Sequence, residues 1–334
     1  MRSRYAVCLL LAAWCVRAED SLTAAGATFP APLYQKWIQT FGEKFPAVKI
    51  SYRAVGSSAG IEALRRGEID FAASDAPVSD ERMAEFPQKI RHVPTVIGGV
   101  VPIYHLEGQV HDLRFTPEAL AGIYLGKIKR WDDPLLKSAN RGVALPAQEI
   151  VVVHRADGSG TTYIWTEFLA KVSAEWRSSA KAATEIRWPV GMGANGNDGV
   201  AELVAKTPGA IGYVEFIYAL QAHLSYGAVR NAAGRFVQAD LSSLTAAAAA
   251  FKPAMVEDLR GSITNAAGAR AYPIAAFTYF LVPEKFADPV KAQSMTDFLR
   301  WALTFGQKES ASLGYAALPE AVAKQALESV GGLR

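Results

Sequence analysis

Ile150-Val151-Val152-Val153-His154-Arg155-Ala156-Asp157-Gly158-Ser159-Gly160-Thr161 is the stretch on which the fold turns. Residues 150–153 are an apolar run of strand length, and beyond the loop Trp165, Phe168 and Leu169 recur at helical spacing. A strand passed to a helix through a polar, glycine-rich loop is the repeating unit of an α/β fold. The same order recurs on both sides. Leu33, Trp37, Phe41 and Phe45 mark one helix face, with Pro30 and Pro32 in the first turn, and Val48, Ile50, Tyr52 and Ala54 alternate as a strand. Gly56-Ser57-Ser58 turns into a short helix around Ile61 and Leu64, and Ile69-Asp70-Phe71 starts another strand. Apolar runs at 95–104 and 210–214, an Ala-rich helix near 244–251, a strand at 274–282, and helices near 289–305 and 319–330 complete the alternation. This pattern predicts an α/β protein with mostly parallel sheets.

The 334 residues suggest about two domains, and a chain that is half hydrophobic and one-fifth charged can bury a large core. Arg2 and Arg4 followed by the apolar run 5–14 and by Val16-Arg17-Ala18 read as a signal peptide over 1–18. Both cysteines, Cys8 and Cys15, fall inside it, so the mature chain carries no disulfide or thiolate chemistry. Of 35 basic residues, removing Arg2, Arg4 and Arg17 leaves 32, equal to the 32 acidic ones. A neutral surface argues against nucleic-acid or membrane-surface binding.

Four short segments share hydroxyls and glycines: Gly26-Ala27-Thr28-Phe29, Gly56-Ser57-Ser58, Ser74-Asp75-Ala76-Pro77 and Arg155 to Thr161. Three of them stand at helix starts, where backbone N–H groups lack partners and the helix dipole favours an anion. The ordinary reading of any one such loop is a helix cap. Three together with an embedded arginine, whose planar fork suits oxyanions, point to an anion site at the carboxyl ends of strands.

These segments, with Ile123-Tyr124-Leu125-Gly126-Lys127-Ile128, Trp131-Asp132-Asp133, Gly196-Asn197-Asp198-Gly199 and Pro208-Gly209-Ala210-Ile211-Gly212-Tyr213-Val214-Glu215, closely resemble the periplasmic phosphate-binding proteins of Pst-type ABC transporters. The resemblance runs from about Leu22 to Tyr315-Ala316-Ala317-Leu318-Pro319. It implies a two-lobe periplasmic-binding-protein fold with a ligand cleft between lobes, one lobe 19–97 plus 271–334 and the other 98–270, with crossings near Gly98-Gly99 and Tyr272-Pro273. It further implies high-affinity capture of inorganic phosphate in the periplasm by a monomer and delivery to the permease and ATPase subunits of an importer, with no enzymatic activity, cofactor or metal. The implied phosphate contacts are Thr28, Phe29, Ser57, Asp75, Arg155, Ser159, Gly160 and Thr161, with Asp157 paired to the arginine. An ionised aspartate accepts only, so Asp75 beside an anion makes sense if the ligand carries a proton, as phosphate does near neutral pH and sulfate does not. The chain departs from the pattern at Ala24-Ala25 and at Ala275-Ala276-Phe277, where glycine and a hydroxyl-rich stretch are usual. The latter puts in doubt an auxiliary contact near the second crossing.

Other readings are weaker. Gly56-Ser57-Ser58-Ala59-Gly60 fits the G-x-S-x-G elbow of a serine hydrolase, but it comes early and the last histidine is His223, whereas that triad wants a late one. Gly191-Met192-Gly193-Ala194-Asn195-Gly196 satisfies the dinucleotide pattern G-x-G-x-x-G, yet Trp188-Pro189-Val190 is a poor preceding strand, and a turn leading to a helix capped near Asp198 fits better. His92, His105, His111, His154 and His223 are scattered without metal-ligand spacing. Sulfate, arsenate or phosphonate is an alternative ligand; Asp75 argues against sulfate but would exclude arsenate poorly, since arsenate too is protonated at neutral pH, and a structural or adhesive exported protein would bind no anion saturably.

Overall fold

The computed structural model describes residues 20–108, 110–249, 251, 252 and 258–333. The signal peptide expected at 1–18 lies outside them. A nine-stranded sheet organises the chain in the order β2-β1-β3-β12-β4-β8-β6-β7, with β9 paired to β4 at one end. Its strands are β1 (Asp20–Gly26), β2 (Val48–Ala54), β3 (Phe71–Ser74), β4 (Ile90–Tyr104), β6 (Val151–Arg155), β7 (Met192–Ala194), β8 (Ala210–Glu215), β9 (Ser225–Tyr226) and β12 (Ala275–Pro283). A small three-stranded sheet contains β5 (Arg114–Phe115), β10 (Ala228–Arg230) and β11 (Phe236–Val237).

The long strand β4 makes one sheet into two lobes. Its first part, Ile90 to Gly99, pairs antiparallel with β12, and its last part, Val100 to Tyr104, pairs antiparallel with β8. The partner changes between Gly99 and Val100. Gly98 is required there by close approach: a Cβ would collide with the Phe29 ring and come within 3.1 Å of Glu215 Oε1.

Within each lobe the outer strands are parallel, β2-β1-β3 on one side and β8-β6-β7 on the other. The expectation of mostly parallel sheets therefore holds away from the centre only. β12 and β4 run antiparallel to their neighbours because each carries the chain from one region to the other rather than closing a strand-helix-strand unit. β4 also begins five residues earlier than its apolar run suggested, because Arg91, His92 and Pro94 interrupt the pattern although the backbone stays extended. Pro94 has no ladder N–H to give, and the pairing with β12 slips there.

Helices cover both faces. Trp37, Phe41, Trp165, Phe168, Trp176, Phe298 and Leu299 are fully buried, so these three tryptophans belong to the core.

Candidate functional site

The four hydroxyl- and glycine-rich segments leave the carboxyl ends of β1, β2, β3 and β6 and converge on the cleft between the lobes. Three helices start there: Ala31–Lys44, just after Thr28 and Phe29; Ser57–Arg65; and Gly160–Val172. Thr28, Phe29, Ser57, Asp75, Arg155, Ser159, Gly160 and Thr161 are all buried. Separations along the chain of more than a hundred residues are closed by direct contacts.

The Ser57 hydroxyl accepts from the Gly160 N–H at 3.0 Å and from the Asp75 N–H at 3.4 Å, which leaves its own proton to donate. The Asn197 side-chain amide donates to Thr28 Oγ1 at 2.8 Å and to Thr161 Oγ1 at 3.1 Å, joining the two lobes. The Thr28 and Phe29 carbonyls are held by the hydroxyls of Tyr218 at 2.6 Å and Tyr315 at 2.7 Å. Ser159 caps its helix, accepting from the Thr162 N–H at 3.1 Å. Gly160 must lack a side chain, because a Cβ would lie 2.5 Å from Asp75 Oδ2 and 2.6 Å from Ser57 Oγ.

Charge is concentrated in three side chains. Arg155 donates through Nε to Asp157 Oδ1 at 2.7 Å and through Nη2 to Oδ2, while Nη1 faces Thr161 Oγ1 at 3.5 Å. Asp157 Oδ1 also accepts from the Gly196 N–H at 3.1 Å. Burial pushes Asp157 up, but the hydrogen bonds and charge of Arg155 outweigh it and hold the carboxyl below its usual range. Asp75 is the opposite case. Its Oδ1 accepts from the Thr278 hydroxyl at 2.7 Å, while Oδ2 is buried with no hydrogen-bond partner among the described residues. Burial raises its pKa to about 7, against the lowering effects of Thr278, Arg155 and Ser57. Nature seldom leaves a buried carboxylate oxygen bare, since the lost hydration costs about 1–3 kcal/mol or more. A buried cluster of hydroxyls, helix-start N–H groups, one guanidinium and one bare acceptor suits a tetrahedral oxyanion that carries a hydrogen. A cavity of about 640 Å³ lies elsewhere, beside Arg91, His92 and Glu284, and includes none of these residues.

Four partners escaped the sequence reading. Asn197 lies in a motif quoted above only for its resemblance, and the preceding Gly191–Gly196 was read as a turn leading to a helix. In fact Met192–Ala194 is an edge strand parallel to β6, and the helix Gly196–Lys206 starts at once after Asn195. Thr278 stands just past the apolar Ala275-Ala276-Phe277, where a missing contact was expected. Tyr218 and Glu215 sit at the end of β8 and in the helix after it. In the hydrolase-like segment, the Ser58 hydroxyl donates to Thr184 Oγ1 at 3.1 Å and its N–H to the Gly158 carbonyl at 3.1 Å, so Ser58 fastens the lobes together.

Known proteins are similar over nearly the whole length. The family model described as a PBP superfamily domain matches residues 17–304. The phosphate-binding protein PstS of Pasteurella multocida (strain Pm70) is 39% identical over 304 residues, covering 91% of this chain and 88% of that protein. The phosphate-binding protein PstS of Xylella fastidiosa (strain Temecula1) is 40% identical over 305 residues, covering 91% of this chain and 83% of that one. Among solved structures, a high-affinity periplasmic phosphate-binding protein (PfluDING) with phosphate bound superposes with a TM-score of 0.76 at 22% identity, covering 92% of this chain and 93% of the other. That last likeness bears on the fold.

Proposed function

Because the chain belongs to the PstS family of phosphate-binding proteins, within the PBP superfamily, we propose that it captures inorganic phosphate in the cleft and delivers it to an ABC importer. It is a binding protein and not an enzyme. The observation that carries the reading is the bare Oδ2 of Asp75 set among donors in a desolvated cleft. Enclosed phosphate must recover a donor for each oxygen it strips of water. Thr28 and Phe29 supply a hydroxyl and N–H groups from one helix start, Ser57 a hydroxyl from the second, and Ser159, Gly160 and Thr161 donors from the third. Three helix ends at ~0.5 charge each amount to roughly +1.5, comparable with the ligand's own charge. Arg155 adds a fork already oriented by Asp157, whose negative charge moderates the grip and keeps release feasible. Asp75 accepts the proton of the ligand and so excludes sulfate, which has none to offer.

The lobes are residues 19–97 with 271–334, and 98–270, closing by a hinge at the two crossings so that donors from both sides meet on the ligand. The chain works as a monomer in the periplasm after removal of residues 1–18, and its partners are the permease and ATPase subunits of the importer. Isothermal titration of phosphate and of sulfate into phosphate-stripped protein tests the reading. One saturable phosphate site with sulfate far weaker is the expected result, and comparable affinities for both anions overturn it.

A further inference from the structure

We infer that Thr278 is a specificity-determining positioning residue: its hydroxyl occupies one oxygen of Asp75 and keeps the carboxylate in the acceptor form that demands a protonated ligand. This rests on the phosphate reading and deepens it.

The placement begins in the backbone. Along β12 and β4, Thr278 pairs with Val96 but Tyr279 pairs with Pro94, so Thr95 is an extra residue in the ladder. Such a bulge follows from proline, which has no N–H for the regular pattern, and bulges bend a strand and redirect its side chains. Here the irregularity is pinned by side chains. Thr95 Oγ1 donates to the Thr278 carbonyl at 3.0 Å, and because that uses the single Thr95 proton, the Tyr34 hydroxyl 2.6 Å away is the donor to Thr95. Tyr34, Thr95 and Thr278 are each buried. The chain of bonds therefore has one direction, and it fixes the residue whose hydroxyl meets Asp75 Oδ1 at 2.7 Å.

The consequence lies in which form of Asp75 the ligand meets. A hydroxyl with one proton, given to Oδ1, favours the ionised carboxyl. Oδ2 is then a pure acceptor set beside Gly160 and Ser57, since a Cβ on Gly160 would lie 2.5 Å from Oδ2 and 2.6 Å from Ser57 Oγ. Without Thr278, Oδ1 would lose its hydroxyl donor, leaving only Arg155 and Ser57 to favour the charged form, and the acid would take a proton more readily. A protonated Asp75 donates, and a donor at that place welcomes sulfate as readily as phosphate.

The other groups around Asp75 are accounted for. Arg155, on β6, favours the ionised form, although its charge is largely answered by Asp157. Glu215, at the end of β8, has its pKa raised well above the ordinary value by burial, which favours its neutral form. The tyrosines Tyr34, Tyr52, Tyr218 and Tyr315 are also pushed upward by burial and stay uncharged at physiological pH. Glu167 and Arg260 line the outer cavity beside Asp75, one of each sign. Thr278 is thus the hydroxyl placed to favour the charged state of this carboxyl against the effect of burial.

Phosphate and sulfate are titrated into ligand-stripped wild type, Thr278→Val and Thr278→Ser, from mildly acid to mildly alkaline pH. In wild type, sulfate binding should emerge only on the acid side, where Asp75 gains a proton. In Thr278→Val the phosphate-to-sulfate affinity ratio should fall about tenfold at neutral pH, and the pH at which sulfate first binds should move upward. Infrared spectra should show a protonated-carboxyl band in this variant that disappears when Asp75→Asn is added. Thr278→Ser, which keeps the hydroxyl, should restore the wild-type profile. If Thr278→Val does not yield folded protein, Thr278→Ala carries the same comparison. A ratio within about twofold of wild type at every pH, with wild type binding phosphate normally, overturns the Thr278 inference and leaves the phosphate reading intact. Wild type that binds neither anion overturns the phosphate reading itself.

Discussion

Two aspartates face one cleft from opposite lobes, and their surroundings have driven them apart. Asp157 is saturated, with Arg155 and the Gly196 N–H using both of its oxygens, and its carboxyl stays charged despite partial burial. Asp75 is more deeply buried, holds one hydroxyl on one oxygen, and is raised to about 7. Groups of the same type pushed in opposite directions take different roles. The saturated acid arranges a cation and has nothing left for a ligand. The unsaturated one has an acceptor to spare, which is what the proposed recognition of a ligand's proton requires.

The comparison is broken most severely at the cation the two acids share. Arg155→Ala removes the donor fork and also leaves Asp157 as an uncompensated negative charge in an anion site, a loss of about 3–5 kcal/mol by analogy with other broken buried pairs. Phosphate affinity should fall on the order of a thousandfold. Adding Asp157→Ala to that variant should recover part of the loss in calorimetric titration. Unaltered affinity in the single variant would place the binding pocket elsewhere. Next in size is Gly160→Ala. The new methyl meets Asp75 Oδ2 and Ser57 Oγ across the closed cleft, and overpacking of this kind costs about 1–3 kcal/mol. Phosphate should bind on the order of a hundredfold more weakly while thermal stability changes little, since Gly160 has ordinary helical geometry. Equal affinity would mean that the lobes do not close on the ligand as they stand here.

Asp75→Asn tests the sensing half directly. An amide donates where the carboxylate accepted, so an unprotonated oxyanion is no longer repelled. The phosphate-over-sulfate preference should narrow by about tenfold or more, chiefly through better sulfate binding. An unchanged ratio would remove Asp75 from the selectivity argument and leave shape and charge alone to account for it.

How much of this was legible beforehand follows the same division. Arg155, Asp157 and the helix-start hydroxyls stand together in short stretches, so local chemistry announced them, and the strand-helix alternation around them announced the fold class. The antiparallel centre did not show, because the direction of β4 and β12 depends on where the chain has already travelled. Thr278 was hidden for a sharper reason. Its neighbours Ala275, Ala276 and Phe277 are apolar, and its aim depends on a slip in register opposite Pro94. Asn197 carried a visible signal, a polar residue at the first turn of a helix, but its partners Thr28 and Thr161 come from two other parts of the chain. Pairings made only by the folded assembly leave no local trace.

The smallest expected effect concerns a third carboxyl, Glu215, which extends the contrast to the end of β8. It is fully buried where β8 meets Val100 of β4. Its Oε2 accepts from the Ile217 N–H at 2.8 Å, and Oε1 has no partner among the described residues. Burial raises its pKa well above the ordinary 4.5, more than the Ile217 and Phe216 N–H groups lower it. A carboxyl raised on folding binds its proton more tightly in the folded chain. Its contribution to stability is therefore complete below the unfolded value and declines as pH rises toward the folded one, by at most about 1.4 kcal/mol per pH unit. Glu215→Gln keeps the shape and the acceptor for Ile217 but cannot ionise. Phosphate affinity should stay within about threefold of wild type, the scale of one weak hydrogen bond. Chemical denaturation at a series of pH values should show the variant gaining on wild type as pH rises from acid to neutral. A constant difference between the two proteins over that interval would mean that Glu215 is already ionised in the folded chain, and that its buried oxygen is satisfied in solution as Asp157 is and not left bare as Asp75 is.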